Sequence, residues 1–118
     1  MHPVLLAEEY VFCTLPANQP VSELLTAVST FREAEGLTLI VTKAQAKQAE
    51  LPYSYPCRMI TLNVHSSLEA VGFLARITAT LAAHGISVNA VSAFYHDHLF
   101  VPTARADEAL LLLKELSG

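Results

Sequence analysis

A chain of 118 residues that is 53% hydrophobic and 15% charged has the composition of an ordered globular protein, long enough for one compact domain or two very small units sharing a core. No apolar run approaches the ~18 residues that a membrane-crossing helix needs, and the formal charge of −4, with seven scattered basic residues against eleven acidic ones, offers nothing to a phosphate backbone. A soluble protein without membrane or nucleic-acid partners is expected, and a start that carries neither a basic leader nor a long apolar segment points to the cytoplasm.

Residues 10–15 (YVFCTL) are rich in aromatic and β-branched side chains and stop at Pro16, which reads as a strand. Residues 21–25 are expected to form a short helix, and residues 27–42 a hairpin turning at Ala34-Glu35-Gly36. Residues 52–56 (PYSYP) suit a short extended linker. Residues 58–64 alternate, with Ile60, Leu62 and Val64 on one face and Met59, Thr61 and Asn63 on the other, as in a half-buried strand.

The following helix is the best signposted element. Ser66 or Ser67 fits an N-cap, and Ser66 with Glu69 makes a capping box. Leu68, Val71, Leu74, Ala75, Thr78, Leu81 and Ala82 form a stripe at helical spacing, and Gly85 supplies the left-handed stop. Residues 86–94 and 99–101 then predict a second hairpin around His96-Asp97-His98, and a leucine-rich helix runs over residues 105–116. That helix has leucines on more than one face, so a self-association surface is expected beside its core contact.

The chain also resembles itself. AVSTF at 27–31 returns as AVSAF at 90–94, and residues 39–49 lie against residues 99–109. Each half then reads β-α-β-β-α, with a first unit over 1–56, including strand 10–15 and hairpin 27–42, and a second over 57–118. Six strands and four helices predict an α+β fold of ferredoxin-like units, an antiparallel sheet with helices on one face. Two complete units would need eight strands, so the halves share strands or leave an edge for a partner chain.

Few residues carry chemistry. Cys13 and Cys57 lack C-x-x-C spacing and read as buried thiols in a reducing compartment. His65, His96, Asp97 and His98 are conceivable zinc ligands, but a tight turn does not hold His96 and His98 on one face and no second cluster completes three or four ligands. No nucleophile and base stand out either. The expectation is therefore no metal, no cofactor and no catalytic residue.

Taken in order, EYVFCTLP (9–16), FREAEGLTLIV (31–41), ITLNVHSSLEAVG (60–72) and YHDHLFVP (95–102) resemble the ACT domain, a small amino-acid-sensing regulatory module. More narrowly, they resemble small bacterial proteins made of two ACT units and nothing else, an arrangement similar to half of the animal cytosolic arginine sensors. The resemblance implies an amino acid held at an interface between ACT units in a homodimer, near the loop after the first strand and the adjoining second strand. By position these are His65, Ser66, Ser67, Leu68 and Glu69, with Asn89, Ala90 and Val91. Many enzyme-attached ACT domains carry Gly in that loop where this chain has Ser66-Ser67. The serines either cap the helix only or help its free N–H groups receive an α-carboxylate, and Asn89 is either an exposed polar residue or a contact for an ammonium or amide group. The expected function is a non-catalytic regulatory module. The alternative is a pocketless ACT pair that docks on another protein, and the third reading is a metal-dependent enzyme centred on His96 and His98.

Overall fold

The computed structural model describes residues 2–63 and 71–117. Among them, strands β1 (Pro3–Leu15), β2 (Ser29–Glu33) and β3 (Gly36–Thr42), helix α1 (Lys43–Gln48) and strand β4 (Ser54–Leu62) are followed by helix α2 (Phe73–Ala83), strands β5 (Asn89–Ser92) and β6 (Asp97–Pro102) and helix α3 (Ala106–Ser117). The fold is α+β, with antiparallel strand pairs and helices packed on sheet. Two compact units emerge: residues 8–56, and residues 57–118 joined by residues 1–7.

In the N-terminal unit β3 pairs with β1 on one side and β2 on the other, with Val11 opposite Val41 and Cys13 opposite Leu39. These four, with Leu15 and Ala46, form a buried core on the face that carries α1. Thr42 caps α1, its hydroxyl accepting from the Gln45 N–H at 3.2 Å. The helix stops after six residues. The Glu50 N–H donates to Lys47 O at 3.1 Å and the Leu51 N–H to Ala46 O at 2.9 Å, the paired bonds that close a helix through a left-handed residue. Here that residue is Glu50, at φ +56°.

The C-terminal unit has a fuller helix layer. Ile60 and Leu62 of β4 and Leu99 and Val101 of β6 lie on one face, with Ile77 and Leu81 of α2 and Ala109 and Leu113 of α3 packed over them. Gly85, at φ +71°, closes α2 by the same paired bonds: its N–H donates to Ala82 O and that of Ile86 to Leu81 O, each at 3.0 Å. Arg105 then ties α3 to this end, its Nη2 donating to His84 O at 2.9 Å and its Nε to Glu108 Oε1 at 2.8 Å. Residues 2–6 reach this unit through the Asn63 N–H, which donates to His2 O at 3.1 Å, and the Arg58 guanidinium, which donates to Leu6 O at 2.8 and 3.1 Å.

Four local expectations are overturned. Residues 21–25 form a single turn closed by the Leu25 N–H on Ser22 O at 3.1 Å, not a helix; they span barely one turn, too short to recover the cost of nucleation. Three α-helices, not four, are therefore present among the described residues. Helix α2 starts at Phe73, so Val71 precedes it and is 97% exposed instead of standing on the buried stripe. The second hairpin turns at residues 93–96, the Ala93 N–H donating to His96 O at 3.0 Å, and Asp97 and His98 belong to β6.

Candidate functional site

Of the site residues expected from the sequence, His65, Ser66, Ser67, Leu68 and Glu69 lie outside the described residues. Asn89, Ala90 and Val91 all lie on β5, at the end of its sheet order. Register separates them: Asn89 and Val91 stand opposite Phe100 and His98, whereas Ala90 stands opposite Leu99, on the face that the helices cover.

On the face away from the helices of this core, the strand pairings line up a short row across three strands. Val91 is opposite His98, and His98 is opposite Thr61 of β4. The Thr61 hydroxyl and His98 Nδ1 are 3.0 Å apart, with the donor set by the imidazole tautomer. Burial holds the His98 imidazole below its ordinary value, and neighbouring His96, whose ring centroid is 6.3 Å away, lowers it further against an opposing pull from Asp97. His98 is thus favoured as the neutral ring, able to donate from one nitrogen and accept at the other. His96 Nδ1 is buried with no hydrogen-bond partner among the described residues. The alternation of residues 58–64 in the sequence already puts Thr61 on the face away from Ile60; only the register of a strand 37 residues away pairs it with His98.

The second component is the start of α2. Gly72 occupies its N-cap and no side chain caps it among the described residues, so this end presents backbone N–H groups and the positive end of the helix dipole. Beside it a recess of about 200 Å³ is lined by Phe73, Arg76 and Ile77 of α2 and by Leu116 and Ser117 of α3. A helix start with no side-chain cap among the described residues and one guanidinium nearby suits a carboxylate, while Phe73 and Ile77 line the recess with apolar surface. The capping box expected at Ser66 and Glu69 lies outside the described residues.

Other reactive groups are quiet. Cys13 and Cys57 are buried and form no disulfide, and burial pushes the Cys13 thiol up, away from the thiolate that nucleophilic or metal chemistry needs. Among the described residues no group of three His, Cys, Asp or Glu side chains is placed to hold a metal. No described helix is long and apolar enough to cross a membrane.

With this geometry in hand, two ACT-domain family models match consecutive stretches of the chain, residues 1–58 and residues 54–115. The chain belongs to the ACT-domain family. As a tandem ACT protein it is a regulatory, ligand-sensing module in the general sense of that family. It is similar to a solved Vibrio cholerae protein of unknown function, described as a possible transport protein, with 45% identity over 98% of this chain and 89% of that one and a TM-score of 0.88. A protein from Agrobacterium tumefaciens shares 20% identity, with a TM-score of 0.82 over 96% of this chain and 86% of its own. The regulatory subunit of aspartate kinase from Thermus flavus shares the fold, with a TM-score of 0.74 and 11% identity over 100% and 98% of the two chains. No curated protein matches the chain in sequence.

Proposed function

We propose that this tandem ACT protein, built from units 1–56 and 57–118, is a non-catalytic cytoplasmic sensor that binds an amino acid at an interface between ACT units, in a homodimer. The observation that carries the reading is the start of α2, where a helix end with no side-chain cap among the described residues, Arg76 and a small recess lie together. The helix end and Arg76 receive the α-carboxylate, and Phe73 and Ile77 face the side chain. The family membership supports the ligand class.

The test is a thermal-shift screen of the full chain against the twenty amino acids. A ligand at about 100 times its Kd adds about 2.7 kcal/mol of stability, so a true ligand at saturating concentration raises Tm by several degrees. The same ligand should move the amide resonances of residues 72–77, 116 and 117, which line or adjoin the recess. No shift with any amino acid defeats the reading.

One observation favours the docking alternative. Phe94 and Tyr95, 74% and 69% exposed, stack edge-on with centroids 4.9 Å apart at the tip of the β5–β6 turn, and aromatic pairs of this kind anchor protein interfaces. Under this reading a stoichiometric partner co-purifies with the wild-type chain and is lost with Phe94→Ser, while no amino acid shifts Tm.

A further inference from the structure

The N-terminal unit holds a second recess, distinct from the start of α2 and independent of the amino-acid reading. Between β1 and β2 this unit has a loop in place of a helix, and the loop is built rather than slack. The Gln19 N–H donates to Pro16 O at 3.0 Å, the Leu25 N–H to Ser22 O at 3.1 Å, and the Leu24 N–H to the Ser22 hydroxyl at 3.2 Å. Pro16 and Pro20 fix the backbone at the first of these turns. The facing wall is the closed end of α1, whose two terminal bonds are already satisfied at Glu50 and Leu51.

Between the two walls lies a cavity of about 360 Å³, at the lower end of the range of about 300–1,000 Å³ for small-ligand pockets. Its floor is Leu15, buried in the core of the unit, with Leu25 and Leu51 packed against that core. Its rim is Val21 and Leu24, 43% and 59% exposed although both are large and apolar. Its polar groups are Gln19, Ser22 and Gln48, and none of its described lining residues is ionisable. A charged ligand there would meet no charged group among the lining side chains, whereas an alkyl chain gains from covering the leucines and an amide or hydroxyl meets neutral donors and acceptors.

We infer that this recess binds an uncharged, largely aliphatic small molecule carrying one amide or hydroxyl group. Its ligand class therefore differs from the zwitterion expected at the start of α2, and the two sites succeed or fail separately because their reporters are different residues.

The probe is hexanamide, titrated into the full-length ¹⁵N-labelled chain. Saturable shifts are expected at the amides of residues 19, 21–25 and 48–51, with a Kd of about 1 mM or tighter, ordinary for a good fragment of this size. Hexanoate and hexylammonium, the same chain with a charge, should bind at least about ten-fold more weakly. Leu24→Arg should weaken hexanamide at least about ten-fold; because Leu24 is exposed, resonances of the C-terminal unit stay in place and report an intact fold. Three results overturn the inference: no saturable shift by about 20 mM hexanamide, far beyond the expected Kd; equal binding of hexanoate; or shifts at these amides that grow with protein concentration alone, which would assign the recess to a second copy of the chain.

Discussion

Aligned on Leu39 and Leu99, the buried centres of β3 and β6, the two units place Ala46 with Ala106 and Gln45 with Arg105. Both alanines are buried under their helices and behave alike. The other pair does not. Arg105 donates to the His84 carbonyl at the end of α2, but the N-terminal unit has a loop where the C-terminal unit has α2, and buried Gln45 Oε1 finds no partner among the described residues. One missing helix thus leaves three marks on the same unit: a six-residue α1 against a twelve-residue α3, an unpartnered amide oxygen, and an apolar recess. A repeat in sequence does not guarantee a repeat in packing, because each residue's role is set by what the other elements of its own unit bring to it.

The hairpins carry the same lesson. Leu39 pairs with Thr30, the fourth residue of AVSTF, whereas Leu99 pairs with Ala90, the first residue of AVSAF. The matching pentapeptides are therefore displaced by three residues along their hairpins, and an odd displacement turns every matched side chain to the opposite face. Phe31 stays in β2 opposite Thr38, while Phe94 has left the strand for the turn. The first turn has two residues between the Glu33 and Gly36 pair, the second has four between Ser92 and Asp97.

The tight turn is where the largest mutational contrast is expected. A Cβ on Gly36, at φ +154°, would lie 2.3 Å from the Leu15 carbonyl oxygen, a backbone clash that no side-chain rotation relieves. Gly36→Ala should cost about 3 kcal/mol or more. His96 takes the corresponding place in the four-residue turn, and His96→Ala should cost no more than about 1 kcal/mol. Urea unfolding of both variants measures the difference; equal losses would mean that the two turns do not differ as their registers say.

Much of this fold is legible in the sequence, and the misreadings share a cause. The β-branched and alternating runs at 10–15 and 58–64 mark strands because their burial pattern is local. The extension of β1 back to Pro3 is not legible, since residues 3–9 do not alternate and what holds them includes Arg58, 52 residues away on Leu6 O. The helix over residues 105–116 is fixed by its own stripe of leucines, whereas Val71 joins a convincing stripe with Leu74 and yet precedes α2, which begins at Phe73. For the site, β5 was findable from position, but the row formed by Thr61, His98 and Val91 exists only through register.

The helix ends offer a smaller and two-signed test. Both close through a left-handed residue, Gly85 in one unit and Glu50 in the other, and a side chain in that conformation costs about 1 kcal/mol. Nothing lies within 4 Å of a Cβ built on Gly85, so Gly85→Ala should lose about 1 kcal/mol from the backbone alone. Glu50→Gly should gain up to about 1 kcal/mol, because exposed Glu50 holds the strained position. Opposite signs in thermal or urea unfolding confirm the equivalence of the two caps; a loss for both would break it.

The smallest effect separates the units by pH. The position matching His98 is Thr38, a hydroxyl that does not titrate, so this proton belongs to the C-terminal unit alone. In the unfolded chain the His98 imidazole titrates near 6.5; in the folded chain burial first, and His96 second, hold it lower. Between those two values the unfolded state binds more protons, so stability rises with pH. The contribution is complete above about pH 6.5, is lost as pH falls toward the folded value, and changes no further below it. His98→Gln can still hydrogen-bond the Thr61 hydroxyl but carries no titrating proton, so the slope of unfolding free energy between about pH 5 and 6.5 should become shallower than in the wild type. An unchanged slope would place the titration elsewhere and remove His98 as the group by which the two units differ.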